Sequence, residues 1–319
     1  MSVPASAPSP IFLAAFAGAM AGGLFLLPRL SASVPFLALP LGVAGLFSAL
    51  PLLLLRVSGR LPLAVLALGT AVLLVSVVGS PEAGIGFALL FGLWGMVGGE
   101  VLARRRSVIA GCAAGFVVLA TEALFASLSE GTAPVAATLS SPQFQAAFDQ
   151  WATQAQLEPA EAKATIDRVR TGIVALYPSL TMITAATIVA INAIALGRLV
   201  HLSRAASFPK NELQMLRWPL ALVVTFVLSG TLLLLPGAET VGWNGLVITL
   251  FLFLLQGLSV LSFALARVFP SQLMRTLLVM ASLVGPWAVL LSLLGLFDQW
   301  FDFRKQFASP DAPTAPSLQ

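Results

Sequence analysis

Charge is the first thing this sequence lacks. Of its 319 residues only 9% are Asp, Glu, Lys or Arg, whereas 58% are hydrophobic. Soluble domains carry about 25% charged residues, so a chain of this composition has too little charge to cover a water-facing surface. Cysteine is nearly absent, and the lone Cys112 excludes an internal disulfide. The lone histidine, His201, excludes a zinc site built from His and Cys ligands. It lies in a basic connection between apolar runs and reads as a solvated loop residue. No G-x-x-x-x-G-K-[ST] stretch is present to cradle a nucleotide phosphate, and no G-x-S-x-G elbow to present a nucleophile. With no catalytic constellation visible, the chain does not read as an enzyme, and neither a metal nor a cofactor is expected.

Long apolar runs are what the sequence has in abundance, with a mean hydropathy of +0.97. A helix needs about 20 apolar residues to cross roughly 30 Å of hydrocarbon. Candidate runs lie at 11–28, 34–55, 61–80, 83–102, 108–128, 173–197, 218–236, 241–266 and 275–297. Lipid leaves no partner for an open backbone group, so these runs are expected to be helices. The period-two alternation of a membrane barrel is missing. The expected fold is therefore all-α, a polytopic integral membrane bundle of eight to nine transmembrane helices. Pro40 and Pro51 make the second run one of the least secure.

The net charge of +4 does not point to nucleic acid, because the basic residues cluster between apolar runs. If nine spans alternate, Arg56, Arg60, Arg104, Arg105, Arg106, Arg198, Arg204, Lys210, Arg217, Arg267 and Arg275 share one side. Arg29, Lys163, Arg168, Arg170, Arg304 and Lys305 fall on the other. The positive-inside rule then places the N-terminus and the "ARRRS" turn in the cytoplasm. Arg304 and Lys305 land outside, against the same rule, so the side of the C-terminus stays open. Residues 1–10 read as a cytoplasmic segment, 11–303 as one transmembrane domain, and the Pro/Ala/Ser-rich 304–319 as a disordered tail. Within that domain, residues 129–172 form an extracytoplasmic loop. There Phe144, Phe148, Trp151 and Ala155 line one side of an amphipathic helix, and a second helix begins at Pro159. This pair either rests on the bilayer surface or forms a lid over a ligand cavity.

Polar residues inside apolar runs are costly in lipid and must face protein or water. Glu122 lies roughly 21 Å along the fifth helix at about 1.5 Å per residue. Tyr177, Trp243 and Asn244 open the sixth and eighth spans on the same expected side. These four residues either line an outward-facing substrate cavity, or serve as interfacial anchors around a structural carboxyl. Glu100 sits one turn before Arg104, where an i,i+4 ion pair is expected. Asn192 and Gln256 are expected to make hydrogen bonds between helices. The first run carries small residues at helical spacing, Ala14, Gly18 and Gly22 on one stripe and Ala15, Ala19 and Gly23 beside it. Such faces pack against a span of the same chain or dock a transmembrane partner.

Three segments carry a resemblance: "NAIALGRL" at 192–199, "FLLQGLSVLSF" at 253–263 and "GLFDQWFDFR" at 295–304. Their order in a polytopic chain resembles the YybS-like family of predicted bacterial membrane proteins, a domain of unknown function (DUF 2232). The first five runs, with the small-residue first helix and the basic "ARRRS" turn, also resemble the substrate-binding S components of energy-coupling-factor transporters. That resemblance implies docking of a coupling subunit through an A-x-x-x-A face, here Ala15 and Ala19 with the offset Gly18 and Gly22, while separate chains hydrolyse ATP. S components usually have six spans, fewer than this chain. The functional expectation is a small-molecule carrier or substrate-binding membrane subunit, with the lipid bilayer and possible transmembrane subunits as partners. The alternative is a scaffold of the cell envelope that transports nothing.

Overall fold

In a computed structural model, residues 9–30, 38–105, 107–131, 133–203 and 212–307 are described, and among them every regular element is helical. The all-α class follows, as an integral membrane bundle. Among the described residues, six helical stretches are long and apolar enough to cross a membrane: Pro10–Arg29, Pro40–Val57, Leu61–Val78, Pro81–Arg104, Pro159–Leu199 and Glu239–Val268. They are apolar around most of their circumference, and their outward faces present Phe16, Leu73, Val77, Ile85 and Val241. In water such faces would aggregate, whereas lipid solvates them.

By their contacts the residues form two compact units within the stretch read from sequence as one domain. The first comprises residues up to Thr138 together with Leu180–Lys210. It contains α1 (Pro10–Leu30), the broken pair α2 (Ala38–Gly45) and α3 (Leu50–Val57), and α4 (Leu61–Val78). Next comes a continuous stretch of α5 (Pro81–Phe87), a π-helical turn (Ala88–Leu93) and α6 (Trp94–Arg105), followed by α7 (Val108–Glu130). Short α8 (Ala133–Leu139) and α9 (Pro142–Gln154) precede α10 (Pro159–Ser203), which returns to this unit from Leu180 onward. Its core gathers Trp94, Phe87, Leu52, Leu53, Leu102, Leu119, Val189 and Leu196. Phe25 packs edge-on against both Phe87 and Phe91.

The small residues of α1 divide in two. A Cβ added at Gly18 would meet the backbone oxygen of Ala67, and one at Gly22 would sit 3.1 Å from that of Ala71. With Ala14 and Ala21 buried opposite Ala64, Ala67 and Ala71, this stripe brings α1 and α4 into backbone contact. Of the two uses open to these faces, Gly18 and Gly22 take packing within the chain, and the partner-docking role that the S-component resemblance implied for them is corrected: α4 already occupies their surface. The neighbouring stripe is less covered, with Ala15 half-buried and Ala19 exposed.

The second unit holds Leu139–Ser179 and the chain from Asn211 on. A 3-10 turn (Glu212–Met215) leads into α11 (Ala221–Leu232), which runs antiparallel to α12 (Glu239–Val268). Their pairing is fixed by Phe226 against Phe253 and by the fit of Gly242 and Gly245 against Ser229. The last apolar run is two helices, α13 (Gln272–Ala281) and α14 (Trp287–Phe301), joined by a turn in which Gly285 has φ +64°. Gly295 touches Phe253 and Gly257, Asp298 bonds Gln256, and Arg304 bonds Ser259. These pairs ascend together, so α14 runs parallel to α12 and α13 is the return stroke. Arg304 and Lys305 therefore sit at the same end of the unit as Arg217 and Phe263. The nine-span alternation had put them on opposite sides because it took 275–297 as a single crossing. Residues 304–307, expected in the disordered tail, belong to a last helix, α15 (Phe303–Phe307), in which Arg304 is buried.

Candidate functional site

The densest polar cluster lies in the second unit, where the start of α11 meets the ends of α12 and α14. Asp298 projects from the last turns of α14 and is completely buried. Its Oδ2 accepts from Arg304 Nη1 at 2.6 Å and from Gln256 Nε2 at 3.0 Å, and its Oδ1 accepts from the Phe303 backbone N–H at 3.1 Å. Asp302 makes this possible: its left-handed backbone (φ 44°) turns the chain at the end of α14 and brings Arg304 back under Asp298. Asp is among the few non-glycine residues that tolerate this conformation.

Arg304 spends the rest of its guanidinium on the backbone oxygens of Gln214 (3.0 Å) and Leu216 (2.8 Å) and on Ser259 Oγ (2.9 Å). Gln256 Oε1 accepts from the backbone N–H of Trp218 and from Gln299 Nε2, which also donates to the Trp218 carbonyl. Trp218 Nε1 donates to Leu252 O at 2.8 Å. A charged pair is tolerated in an apolar interior when further hydrogen bonds satisfy its remaining atoms. Here those bonds also tie the segment before α11 and the one after α14 to α12. Chemically the cluster is a lock, with its donors and acceptors spent on one another.

A second polar device sits on α10. Pro178 has no N–H and so removes one rung of the helical ladder. At the next rung the Asn244 side chain intervenes: its Oδ1 accepts from the Ser179 N–H at 2.9 Å and its Nδ2 donates to Ala175 O at 2.8 Å. In an uninterrupted helix those two backbone groups would bond each other. A neighbouring side chain thus satisfies backbone freed near a proline inside an apolar helix. Asn244 Nδ2 also bonds Thr240 O on its own helix. Replacing Asn244 with Ala strips partners from a buried N–H and its carbonyl, at about 1–3 kcal/mol each. The expected outcome is a lower melting temperature for the detergent-solubilised protein, with Trp243→Ala, a change at an exposed side chain, leaving it nearly unchanged.

In the first unit Asn192 is fully buried, and its Nδ2 donates to Leu46 O (2.7 Å) and Ile188 O (2.8 Å). Leu46 opens the break between α2 and α3, so Asn192 supplies a donor where the helix has stopped doing so. Glu100 pairs with Arg104 one turn on and with Arg56 of α3. Among the described residues, no three or more His, Cys, Asp or Glu side chains come together as metal ligands would.

The four residues considered for a substrate cavity are distributed between the units. Glu122 belongs to α7 of the first, and its side chain lies outside those described, as does that of His201 near the end of α10. Tyr177, Trp243 and Asn244 belong to the second. Tyr177 is half-buried, Trp243 is 54% exposed, and Asn244 is occupied by the α10 backbone. Sequence reasoning passed over Arg56, Asp298 and Arg304. For the last two a signal was available: an acidic residue near the end of an apolar run, followed six positions later by arginine.

Helix class, span length and lipid-facing surface define a polytopic α-helical membrane protein. Residues 24–299 match the family model described as predicted membrane protein (DUF2232), and the chain belongs to that family. No curated protein and no solved structure matches it. The segments that carried the family resemblance supply the Asn192 contact and much of the Asp298–Arg304 cluster: Asn192 in the first, Gln256, Gly257 and Ser259 in the second, and Gly295, Asp298, Gln299 and Arg304 in the third.

Proposed function

We propose that the protein is a small-molecule carrier, or the substrate-binding membrane subunit of a larger transporter, set in a bacterial cytoplasmic membrane with its N-terminus inside. The observation that carries this reading is the composition of the first unit. Among its described residues it has six long helical stretches: α1, α2–α3, α4, α5–α6, α7 and the second half of α10. Six is the usual span number of the S components that the first five runs resemble, and the surplus helices belong to the other unit. Ala15 and Ala19 fit the same reading, since they lie beside the stripe that α4 covers. Glu122 is the residue proposed to meet the substrate, because an ionisable group within an apolar span defaults to a functional role. No catalytic role is proposed.

A scaffold of the cell envelope is the second reading. It is favoured by the way Asn244, Gln256, Asp298 and Arg304 are spent on internal bonds. Two variants separate the readings. Glu122→Gln should abolish substrate accumulation in cells while leaving the amount of folded protein in the membrane unchanged. The double change Ala15→Leu, Ala19→Leu should release a coupling subunit from an intact protein. Equal loss of folded protein and function in Glu122→Gln would assign that carboxyl a structural role and favour the scaffold.

A further inference from the structure

At the basic end of the second unit a depression of about 300 Å³ opens between Met215, Arg217, Phe263, Asp302, Arg304 and Lys305. Its cations differ in availability. Arg304 is buried and committed to Asp298, whereas the side chains of Arg217 and Lys305 are 46% and 83% exposed. Asp302 reaches both, at 3.4 Å to Arg217 and 2.8 Å to Lys305, and so fixes them around the opening. The Lys305 hydrogen bond, aided by the charges of Lys305, Arg217 and Arg304 and opposed by burial, holds the Asp302 carboxyl below its ordinary range. It is therefore ionised at neutral pH, and one carboxylate leaves the surrounding positive charge in excess. A further cation, Arg267, lies 3.9 Å over the Phe263 ring on the apolar wall. Met215 on that wall is exposed, as are Trp300, Phe301 and Phe307 at the same end of the unit. An exposed Trp at the end of an apolar helix, here Trp300, marks the headgroup level of a bilayer.

We propose that this depression binds the phosphate of an anionic phospholipid, with Arg217 and Lys305 on the phosphoryl oxygens and Met215 and Phe263 against the glycerol and first acyl carbons. A soluble anion would use the cations alone. The apolar wall at interfacial depth is what selects a lipid, and clustered Lys and Arg beside membrane helices recognise anionic headgroups on the same physical grounds. This site is independent of any carrier function.

The test uses the full-length protein in detergent micelles doped with phosphatidylglycerol or phosphatidylcholine, with retained lipid counted by native mass spectrometry. Phosphatidylglycerol should be retained over phosphatidylcholine. Lys305→Gln should weaken that retention about fivefold, and adding Arg217→Gln should weaken it about fivefold again, at roughly one surface cation's worth each. Lys163→Gln, on an exposed part of α10, should change nothing. Because Lys305 is so exposed, its variant should melt like the parent and remain informative if Arg217→Gln does not fold. Equal retention of the two lipids, or unchanged phosphatidylglycerol retention in Lys305→Gln, would overturn the proposal. Displacement of phosphatidylglycerol by millimolar inorganic phosphate would also overturn it, by making the site one for a soluble anion.

Discussion

Arg304→Leu is expected to destabilise the protein by about 3–5 kcal/mol, the usual consequence of removing one partner from a buried ion pair. The reason is Asp298, which has no exposure to solvent and would be left with only Gln256 and the Phe303 N–H as partners. The carbonyls of Gln214 and Leu216 would lose their donor in the same step. Thermal unfolding in detergent should show the loss as a large drop in melting temperature, and limited proteolysis should cut first around residues 212–218 and 299–307. The double variant Asp298→Leu, Arg304→Leu should recover part of the stability, because an apolar pair removes the stranded charge. A double-mutant cycle that gave purely additive losses would mean the two side chains do not act as a unit.

A comparable loss is expected from Gly257→Val. A Cβ at Gly257 would collide with the carbonyl of Leu291, and one at Gly295 with that of Phe253. Both obstacles are backbone, so neither can rotate away as a side chain could. The helices must move apart, and the hydrogen bond between Gln256 and Asp298 is stretched with them. Overpacking of a tight contact costs about 1–3 kcal/mol and occasionally more, and the upper end is expected because the polar cluster depends on this spacing. Gly230→Ala is the control. Nothing lies within 4 Å of its added Cβ, and alanine is preferred over glycine in a helix by about 1 kcal/mol. Its melting temperature should hold or rise.

The helical class, the membrane setting and most helix positions were legible in composition and run length. What run length could not report is where an apolar chain turns. Residues 276–297 contain no charge, yet the chain reverses at Gly285, where the Gly-Pro pair was the available turn signal. Missing it separated Arg304 from Arg217, whereas the two share one end of the unit. The small-residue stripes of α1 were visible, but the one that α4 covers could not be chosen from spacing that both share. The polar residues were recognisable singly, whereas their partners were not. Asn192 meets Leu46 across 146 positions and Gln256 meets Asp298 across 42. Only the fold supplies such pairs. The Glu100–Arg104 pair is the contrasting case, because a helix alone brings residues one turn apart together.

The proposed carrier function is tested most directly by native mass spectrometry of the full-length protein purified from its own membrane. A carrier with Glu122 in its site should retain a discrete non-lipid small molecule at near-stoichiometric occupancy, and Glu122→Gln should lose that mass while melting like the parent. A parent protein that holds no such molecule, with a spectrum identical to that of the Glu122→Gln variant, would contradict it.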